Sequence, residues 1–294
     1  MRILVFGRQG QVARALAAHA GRFDLAFAGR ERLDLAADAP DVAKVIAETR
    51  PDAVINATAY NMVDRAQTDA TACERLNRDA PGLMGEACIA AGVAFVHFST
   101  DYVFDGEKGA PYEEDDERRP LSVYGRAKAQ GEARLEAMVR QGAPLAIIRT
   151  SRVFSPGGTG FLQTMLELAR RRDAIEVVCD QFACPTPATA CAEAALTICA
   201  ALASGDRRAR GRFHAAGADG LSWADFAEAI FAASAAHGGP SARIVRVAAS
   251  AFPTPAPRPR DSRLACRRLE AMSDWRAPPL AGALDRCLEA MSSR

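Results

Sequence analysis

This chain of 294 residues has few lysines and histidines and no excess of either charge. It has 37 lysine and arginine residues against 36 aspartate and glutamate residues, a formal net charge of +1, and only 4 histidines. Balanced, interspersed charge gives no reason to expect a nucleic acid or a membrane surface as a partner. The histidines are scattered, and neither a Cys-x-x-Cys pair nor a Gly-x-Ser-x-Gly motif occurs. Zinc sites and Ser-His-Asp hydrolase chemistry are therefore poorly supported.

Long hydrophobic runs are also missing. The N-terminal run from Ile3 to Phe6 is too short for the core of a signal peptide, and no other run approaches the length needed to span a bilayer. The 8 cysteines stand mostly among apolar residues and are expected to be reduced core residues. A composition of 49% hydrophobic and 25% charged residues is ordinary for a globular protein. We expect a cytoplasmic enzyme or binding protein.

The first half alternates short apolar runs with helical periodicity, which predicts a parallel sheet covered on both faces. The predicted strands are 3–6, 25–28, 53–56, 93–98 and 145–148. The predicted helices are 11–20, 41–49, a long or broken helix at 64–91, and one that carries Tyr124 and Lys128.

The second half is less regular. Helices are predicted at 161–172 and 188–203, a helix capped by Ser222 runs to about 236, and a strand is expected at 243–247. The proline-rich segment 252–259 is neither helix nor central strand. It is either a linker or a stiff segment whose Arg258 and Arg260 line a site for an anionic ligand.

A glycine turn follows the first strand in Gly7-Arg8-Gln9-Gly10-Gln11-Val12-Ala13. At this position, backbone N–H groups can meet a pyrophosphate at the start of a helix. The sequence therefore predicts an α/β, Rossmann-like doubly wound parallel sheet. We assign 1–150 to an NAD(P)-binding Rossmann domain and 151–294 mainly to a smaller C-terminal substrate-binding region, with some segments returning to the first domain.

The end of the second strand indicates which dinucleotide binds. An acidic residue there favours an unphosphorylated ribose, whereas an arginine favours a 2′-phosphate. This chain has Gly29-Arg30 at that position, which favours NADPH, with NADH possible. Asp34 and Leu35 follow and are interpreted either as adenine contacts or as part of a charged surface turn.

Tyr124 and Lys128 are four residues apart and share one helical face. Lysine occurs only at 44, 108 and 128, so 34 of the 37 basic residues are arginines and the lysine at 128 stands out. A nearby ammonium lowers the pKa of a phenol, which makes tyrosine a general acid near neutral pH. The alternative is an ordinary surface pair. Thr100 follows a predicted strand, where its hydroxyl would bond a substrate carbonyl that Tyr124 protonates, while Lys128 holds the nicotinamide ribose.

These motifs resemble the dTDP-4-dehydrorhamnose reductase family of the extended short-chain dehydrogenase/reductases. The resemblance extends over nearly the whole chain, in 7–12, 56–64, 99–104, 124–128, 149–151, 180–182, 185–186, 253–255 and 258–259. It implies NADPH-dependent reduction of the C4 ketone of dTDP-4-dehydro-β-L-rhamnose to dTDP-L-rhamnose, a precursor of cell-surface polysaccharide. It also implies that the catalytic triad is Thr100, Tyr124 and Lys128.

The resemblance further implies cofactor and substrate contacts. NADPH would touch Gly10, Gln11, Val12, Asp34, Leu35, Ala59, Tyr60 and Asn61, and the sugar would touch Asp101. To these we add Gly7, Arg30, Phe98, Tyr124 and Lys128 on the cofactor side, and Thr100, Arg152 and Arg258 on the substrate side.

Three positions depart from the family pattern. The family's Arg-Thr-Ser-Trp contacts substrate through its tryptophan, but this chain has Arg152 there, which is compatible with another sugar or nucleotide. Tyr60 stands where the family often has histidine. Some members bind magnesium through glutamates at a dimer contact; the matching positions here are Ala15 and Thr189. We therefore expect no metal, and either a monomer or a homodimer.

Two alternatives to the leading function stay open. One is a related nucleotide-sugar ketoreductase of different sugar specificity. The other is a non-catalytic NADP-binding subunit that regulates a partner enzyme.

Overall fold

Twelve strands and ten α-helices, numbered along the chain, make up the fold in the computed structural model, which describes residues 1–37 and 39–292. The strands are β1 Arg2–Phe6, β2 Asp24–Ala28, β3 Ala53–Asn56, β4 Ala94–Thr100, β5 Leu145–Thr150, β6 Val153–Phe154, β7 Ala174–Val178, β8 Phe182–Ala183, β9 Thr186–Pro187, β10 Gly211–His214, β11 Leu221–Ser222 and β12 Arg243–Val247. The helices are α1 Gln11–Ala17, α2 Val42–Thr49, α3 Ala70–Glu74, α4 Ala80–Ala91, α5 Val123–Arg140, α6 Phe161–Ala169, α7 Ala188–Ala203, α8 Trp223–Ala236, α9 Arg267–Met272 and α10 Leu280–Ser292.

A parallel sheet of six strands forms the centre of the molecule, in the order β10-β5-β4-β3-β1-β2. Alternate side chains of β1 point to opposite faces, as the pleat of a strand requires. Ile3 and Val5 belong to the core on the face covered by α1 and α7, whereas Leu4 and Phe6 belong to the core beneath α2, α4 and α5. Apolar residues on both faces explain why the strands read as continuous hydrophobic runs. The predicted α/β, doubly wound fold is confirmed.

A further apolar core lies in the C-terminal half. Helices α6 and α8 pack against the parallel pair β7 and β12, and α10 packs on α8; the core includes Phe154, Phe226 and Leu284. Helix α7 and strand β10 instead join the layers of the first half, because α7 packs on β4 and β10 pairs with β5. The division of function at residue 150 stays a prediction.

Several element boundaries differ from the sequence expectation. The helix expected at 11–20 ends at Ala17, and the one expected at 161–172 ends at Ala169. Ser222 caps α8 as expected, in a reciprocal capping box with Asp225. Strands β6 to β11 and helices α9 and α10 were not predicted. Four of these strands have only two residues, too few for a pattern, whereas α10 is amphipathic and buries Leu280, Leu284 and Leu288.

The segment predicted as a long or broken helix at 64–91 is broken. A short 3₁₀ turn at Arg65–Gln67 is followed by α3, a five-residue π turn at Arg75–Asp79, and α4. The π turn holds the buried Asn77, whose amide bonds both backbone groups of Tyr60, at 3.1 Å to N and 2.8 Å to O. This contact fixes the loop after β3 at the edge where the site lies.

In the described ranges 1–37 and 39–292, no helix is both long enough and apolar enough to cross a bilayer. All eight cysteines are free thiols; Cys179 is partly exposed and the other seven are buried. They occupy core positions, as the sequence predicted.

Candidate active site

A cavity of about 740 Å³ opens at the carboxyl ends of the central strands, where parallel α/β sheets bind their ligands. The loops after β1, β2 and β3 line one end of it, and the last residues of β4, the start of α5 and the loop after β5 line the other. Most of the sequence-predicted site residues meet here: Gly7, Gly10, Gln11, Val12, Arg30, Ala59, Asn61, Phe98, Thr100, Asp101, Tyr124, Lys128 and Arg152.

The glycine turn approaches the neighbouring loop closely. Gly7 has φ +109°, and a Cβ there would lie 3.1 Å from the carbonyl oxygen of Ala57, so a side chain is disfavoured by both conformation and space. Gly10 is the N-cap of α1 and provides no side-chain cap. The first amides of α1 therefore have no intrahelical partner and suit an anion such as a pyrophosphate.

Two arginines lie at the end of the cavity that the loops after β1 and β2 form. Arg30 lies after β2 and pairs with Asp34, with Nη2 3.0 Å from Oδ2, and its side chain is 81% exposed. Arg8, in the glycine turn, approaches Glu31 at 3.4 Å. Both are exposed cations, and Arg30 stands where the sequence predicts a contact to a ribose phosphate.

Tyr124 and Lys128 reach the cavity from the first turns of α5. Ser122 caps this helix by accepting a hydrogen bond from the N–H of Gly125 at 3.1 Å. The Lys128 ammonium donates to the carbonyl oxygen of Phe98 at 2.9 Å, which ties α5 to β4. Thr100, the last residue of β4, lies beside Tyr124 in the same lining. The structure therefore brings all three predicted catalytic residues together.

Burial sets the pKa values of this group. It raises the pKa of Tyr124 well above the usual phenol value, and a hydrogen bond from Thr100 opposes the rise only in part. Burial also lowers the pKa of Lys128 to about 8, while Glu132 acts in the opposite direction. The pKa of the phenol is therefore raised and not lowered as the sequence led us to expect, because desolvation of the phenolate is the largest effect.

Asp101 lies fully buried next to Thr100. Its Oδ1 accepts the Thr100 hydroxyl at 3.0 Å, and its Oδ2 accepts Ser151 at 2.9 Å and Ser262 at 2.6 Å. Burial raises the pKa of Asp101, and these three hydroxyls oppose the rise. The carboxylate thus joins the ends of β4 and β5 to the C-terminal segment and orients Thr100.

A buried ion pair lies one helical turn beyond Lys128. Glu132 accepts two hydrogen bonds from Arg149, at 2.9 Å from Nε and 2.6 Å from Nη2, and both side chains are completely buried. Arg118 also donates to Glu132 at 2.9 Å. This bidentate pair fixes α5 against β5, and with it the direction of Lys128.

The family described as "RmlD substrate binding domain" matches residues 1–293. The chain belongs to this family. A dTDP-4-dehydrorhamnose reductase from Sinorhizobium fredii is 39% identical over 280 residues, which cover 95% of this chain and 93% of that protein. A probable dTDP-4,6-dihydroxy-2-methyloxan-3-one 4-ketoreductase from Streptomyces antibioticus is 34% identical over 285 residues, covering 94% of this chain and 92% of that protein.

Solved structures of the RmlD family have the same fold. The dTDP-4-dehydrorhamnose reductase of Bacillus anthracis in complex with NADP superposes with a TM-score of 0.89 at 25% identity, and covers 98% of this chain and 99% of that one. The structural similarity thus extends over nearly the whole chain and is not limited to its first half.

On the substrate side, the RmlD-family chain has an arginine stacked on a tryptophan. The guanidinium of Arg152 lies 3.8 Å from the centre of the Trp223 ring, and both residues line the cavity. The tryptophan that the family pattern places at 152 is absent, but an indole from the start of α8 reaches the same region.

Four predicted contacts lie elsewhere. Asp34 and Leu35 line a smaller cavity of about 170 Å³ that borders the main one at Gly29, Arg30, Thr58 and Ala59. Tyr60 is buried outside the lining, with its hydroxyl donating to Asp69 at 3.0 Å. Arg258 is also outside the lining and forms a bidentate pair with Asp64 at 2.9 and 2.8 Å. The predicted ligand contacts of Tyr60 and Arg258 stay predictions; in this structure the polar groups of both side chains have internal partners.

The lining also includes residues that were not predicted as contacts, among them Arg8, Thr58 and Trp223. Arg8 stands inside the glycine turn, so its position was a usable signal. Trp223 is one of only 2 tryptophans, and it follows directly after the cap residue Ser222. Nothing local in the sequence indicates that the start of α8 faces β5, because the two are brought together only by the tertiary fold.

Proposed function

We propose that this protein reduces the C4 ketone of dTDP-4-dehydro-β-L-rhamnose to dTDP-L-rhamnose with NADPH. The observation that carries the proposal is that Thr100, Tyr124 and Lys128 line the same cavity as the glycine turn. The relatives named dTDP-4-dehydrorhamnose reductase support the substrate class.

The residues present fit a dinucleotide. Glycine at position 7 lets the turn lie against the loop after β3, because a Cβ there would be 3.1 Å from the carbonyl oxygen of Ala57. Gln11 has a buried Oε1 for which the described residues provide no hydrogen-bond partner. Gly10, Gln11 and Val12 would hold the pyrophosphate, Lys128 the nicotinamide ribose, and Ala59, Asn61 and Phe98 the cofactor body. Asp34 and Leu35 would meet the adenine from the smaller adjoining cavity.

We assign the 2′-phosphate to Arg30 and Arg8, which favours NADPH over NADH. When bound, NADPH supplies the hydride that reaches the sugar carbon. Comparing kcat/KM for the two cofactors in the wild-type protein and in Arg30→Ala tests the assignment.

Tyr124 acts as the general acid in this scheme. Its raised pKa keeps the phenol protonated at neutral pH, so that it can give its proton to the developing alkoxide. The Thr100 hydroxyl, which donates to Asp101 here, would turn to the same oxygen when the substrate binds, and the Lys128 charge stabilises the phenolate that forms.

Replacing Tyr124 by Phe tests the proposal. We expect oxidation of NADPH by dTDP-4-dehydrorhamnose to fall by about 100-fold or more, because general acid catalysis contributes about 10²–10⁴-fold. The matched control is Tyr112→Phe, since Tyr112 lies outside the cavity and its hydroxyl donates to Asp105 at 2.6 Å. A wild-type protein with no activity on this substrate, or a Tyr124→Phe variant with full activity, would contradict the proposal.

A related ketoreductase with another sugar is the second candidate, favoured by Arg152. The Streptomyces antibioticus relative carries the name of a 4-ketoreductase with a different substrate. Competition between nucleotide sugars for the same enzyme separates the two candidates.

A regulatory, non-catalytic subunit would instead co-purify with a partner and show no turnover alone. Light scattering decides between a monomer and a homodimer.

A further inference from the structure

Arg152 adopts a left-handed backbone conformation on the substrate side of the cavity. Its φ is +42°, and Arg50 is the other non-glycine residue with positive φ in the described ranges 1–37 and 39–292. Arg50 ends a helix, where this conformation is common, whereas Arg152 connects β5 to β6. Unfavourable backbone conformations of this kind persist where surrounding contacts hold them, and they cluster at ligand sites.

Three contacts fix the plane of the Arg152 guanidinium. Nη1 donates to the carbonyl oxygen of Leu221 and Nη2 to that of Gln181, both at 2.8 Å. The Trp223 ring supports the plane from one side at 3.8 Å. A guanidinium has five N–H donors, so three remain beyond those that bond the two carbonyls. The group is thus rigid and still able to bind a ligand.

No carboxylate pairs directly with Arg152 within the described residues. No carboxylate oxygen of 1–37 or 39–292 lies within 4.0 Å of its guanidinium nitrogens, whereas Arg8, Arg30 and Arg258 each have such a partner. Burial lowers the pKa of Arg152 to about 10, and Asp101 and Asp225 oppose this effect only from a greater distance. A buried cation without a carboxylate in contact is stabilised when an anion binds to it.

We propose that Arg152 binds the diphosphate of the nucleotide-sugar substrate, and that Trp223 is the positioning residue that holds its guanidinium. The inference rests on the proposed function, which provides a substrate of this class. A planar fork with fixed orientation matches phosphate oxygens, whereas neutral sugar hydroxyls need no buried cation. The other cations of the cavity are Arg8 and Arg30 at the cofactor end and Lys128 beside Tyr124. Arg152 is the remaining cation of the cavity. It is therefore available for the diphosphate of the nucleotide sugar, which is distinct from the pyrophosphate of the cofactor.

Binding of dTDP and thymidine to the wild-type protein and to Arg152→Gln tests this assignment by calorimetry. We expect Arg152→Gln to weaken dTDP about tenfold or more, since a hydrogen bond to a charged group has that effect, and to change thymidine and NADP⁺ binding little. Arg170→Gln is the matched control, because Arg170 is exposed and outside the cavity. Equal dTDP affinity for the wild type and Arg152→Gln would overturn this inference and leave the proposed function intact. Weakened binding of the nucleotide sugar without weakened binding of dTDP would do the same, because it places the contact on the sugar.

A wild-type protein that binds neither dTDP nor UDP would overturn the proposed function, and this inference with it. The two failures are therefore distinguishable.

The role of Trp223 has its own readout. Trp223 lines the cavity, whereas the other tryptophan, Trp275, is buried and donates to the carbonyl oxygen of Ala190 at 3.1 Å. We expect dTDP to change the tryptophan emission of the wild type and to leave that of Trp223→Phe nearly unchanged. Trp223→Phe should keep most of the dTDP affinity because a ring remains beneath the guanidinium, and Trp223→Leu should lose several-fold more. Equal affinity of the Phe and Leu variants would overturn the positioning role.

Discussion

At the scale of single residues, the site depends on Lys128, whose ammonium loses its proton at a lower pH than an ordinary lysine. Lys128 is completely buried, its ammonium donates to a backbone carbonyl, and burial lowers its pKa to about 8. Tyr124 beside it has a raised pKa and stays protonated over the whole neutral range. The charge of Lys128, and not the proton of Tyr124, is therefore the first property that rising pH removes.

A pH profile checks this assignment. For the reductive reaction we expect kcat/KM to be constant near pH 7 and to fall as the pH rises through about 8, because neutral Lys128 no longer stabilises the phenolate. Lys128→Arg should remove the falling limb, since arginine keeps its charge. It should also lower kcat, because the planar guanidinium does not fit the space of a compact ammonium. A wild-type profile that is flat up to pH 10 would exclude Lys128 as the titrating group.

At the scale of elements, helix α5 positions the catalytic pair, and glycines allow it to pack closely. A Cβ on Gly131 would lie 2.3 Å from the carbonyl oxygen of Asn77, and one on Gly125 would lie 2.2 Å from that of Tyr102. Both neighbours are backbone atoms, which cannot rotate away. The helix therefore lies against the π turn and the end of β4 at a distance that only glycine permits.

Two glycine substitutions with opposite outcomes test this packing. Helix propensity alone favours alanine over glycine by about 1 kcal/mol, but we expect Gly131→Ala to destabilise the fold by about 1–3 kcal/mol because the clash dominates. Gly282→Ala in α10 is the control, since its nearest neighbour is the mobile tip of Arg286 at 3.4 Å, and it should be neutral or stabilising. Urea denaturation measures both. Stabilisation by Gly131→Ala would mean that α5 has room to move.

At the scale of the whole molecule, ion pairs between different elements hold together the segments around the site. Glu132 on α5 pairs with Arg149 on β5 in a completely buried ion pair. Asp64 and Arg258, 194 residues apart, join the loop after β3 to the proline-rich segment. The assignment of 151–294 to substrate binding stays a prediction. Helix α7 and strand β10 lie in this range but belong to the layers of the first half.

Acid stability reports on the buried pair. Burial alone would raise the pKa of Glu132, but Arg149 and its hydrogen bonds lower it to about 2, below the usual value of about 4.3 for an unfolded chain. A depressed folded-state pKa stabilises the protein above the unfolded pKa, and this contribution is lost as the pH falls from about 5 towards 2. We expect the free energy of unfolding to decrease over this range.

The double variant Glu132→Gln with Arg149→Met removes both charges of this pair, so that neither partner stays buried without the other. Its loss of stability between pH 5 and pH 2 should be smaller than that of the wild type, as measured by denaturation at several pH values. An identical slope would show that other acids carry the effect.

The sequence by itself determined five of the six strands of the central sheet and most of the residues that line the cavity from them. Buried strands have to be continuously apolar, a pyrophosphate turn needs glycine at fixed positions, and Tyr124 and Lys128 share a face by helical geometry. These are local requirements, so they leave local patterns. Tertiary structure alone decided the rest. Burial reversed the expected direction of the Tyr124 pKa, an internal carboxylate occupied Arg258, and Trp223 approached Arg152 from 71 residues further along the chain. Each of these depends on which distant groups share a low-dielectric space, and no local pattern records that.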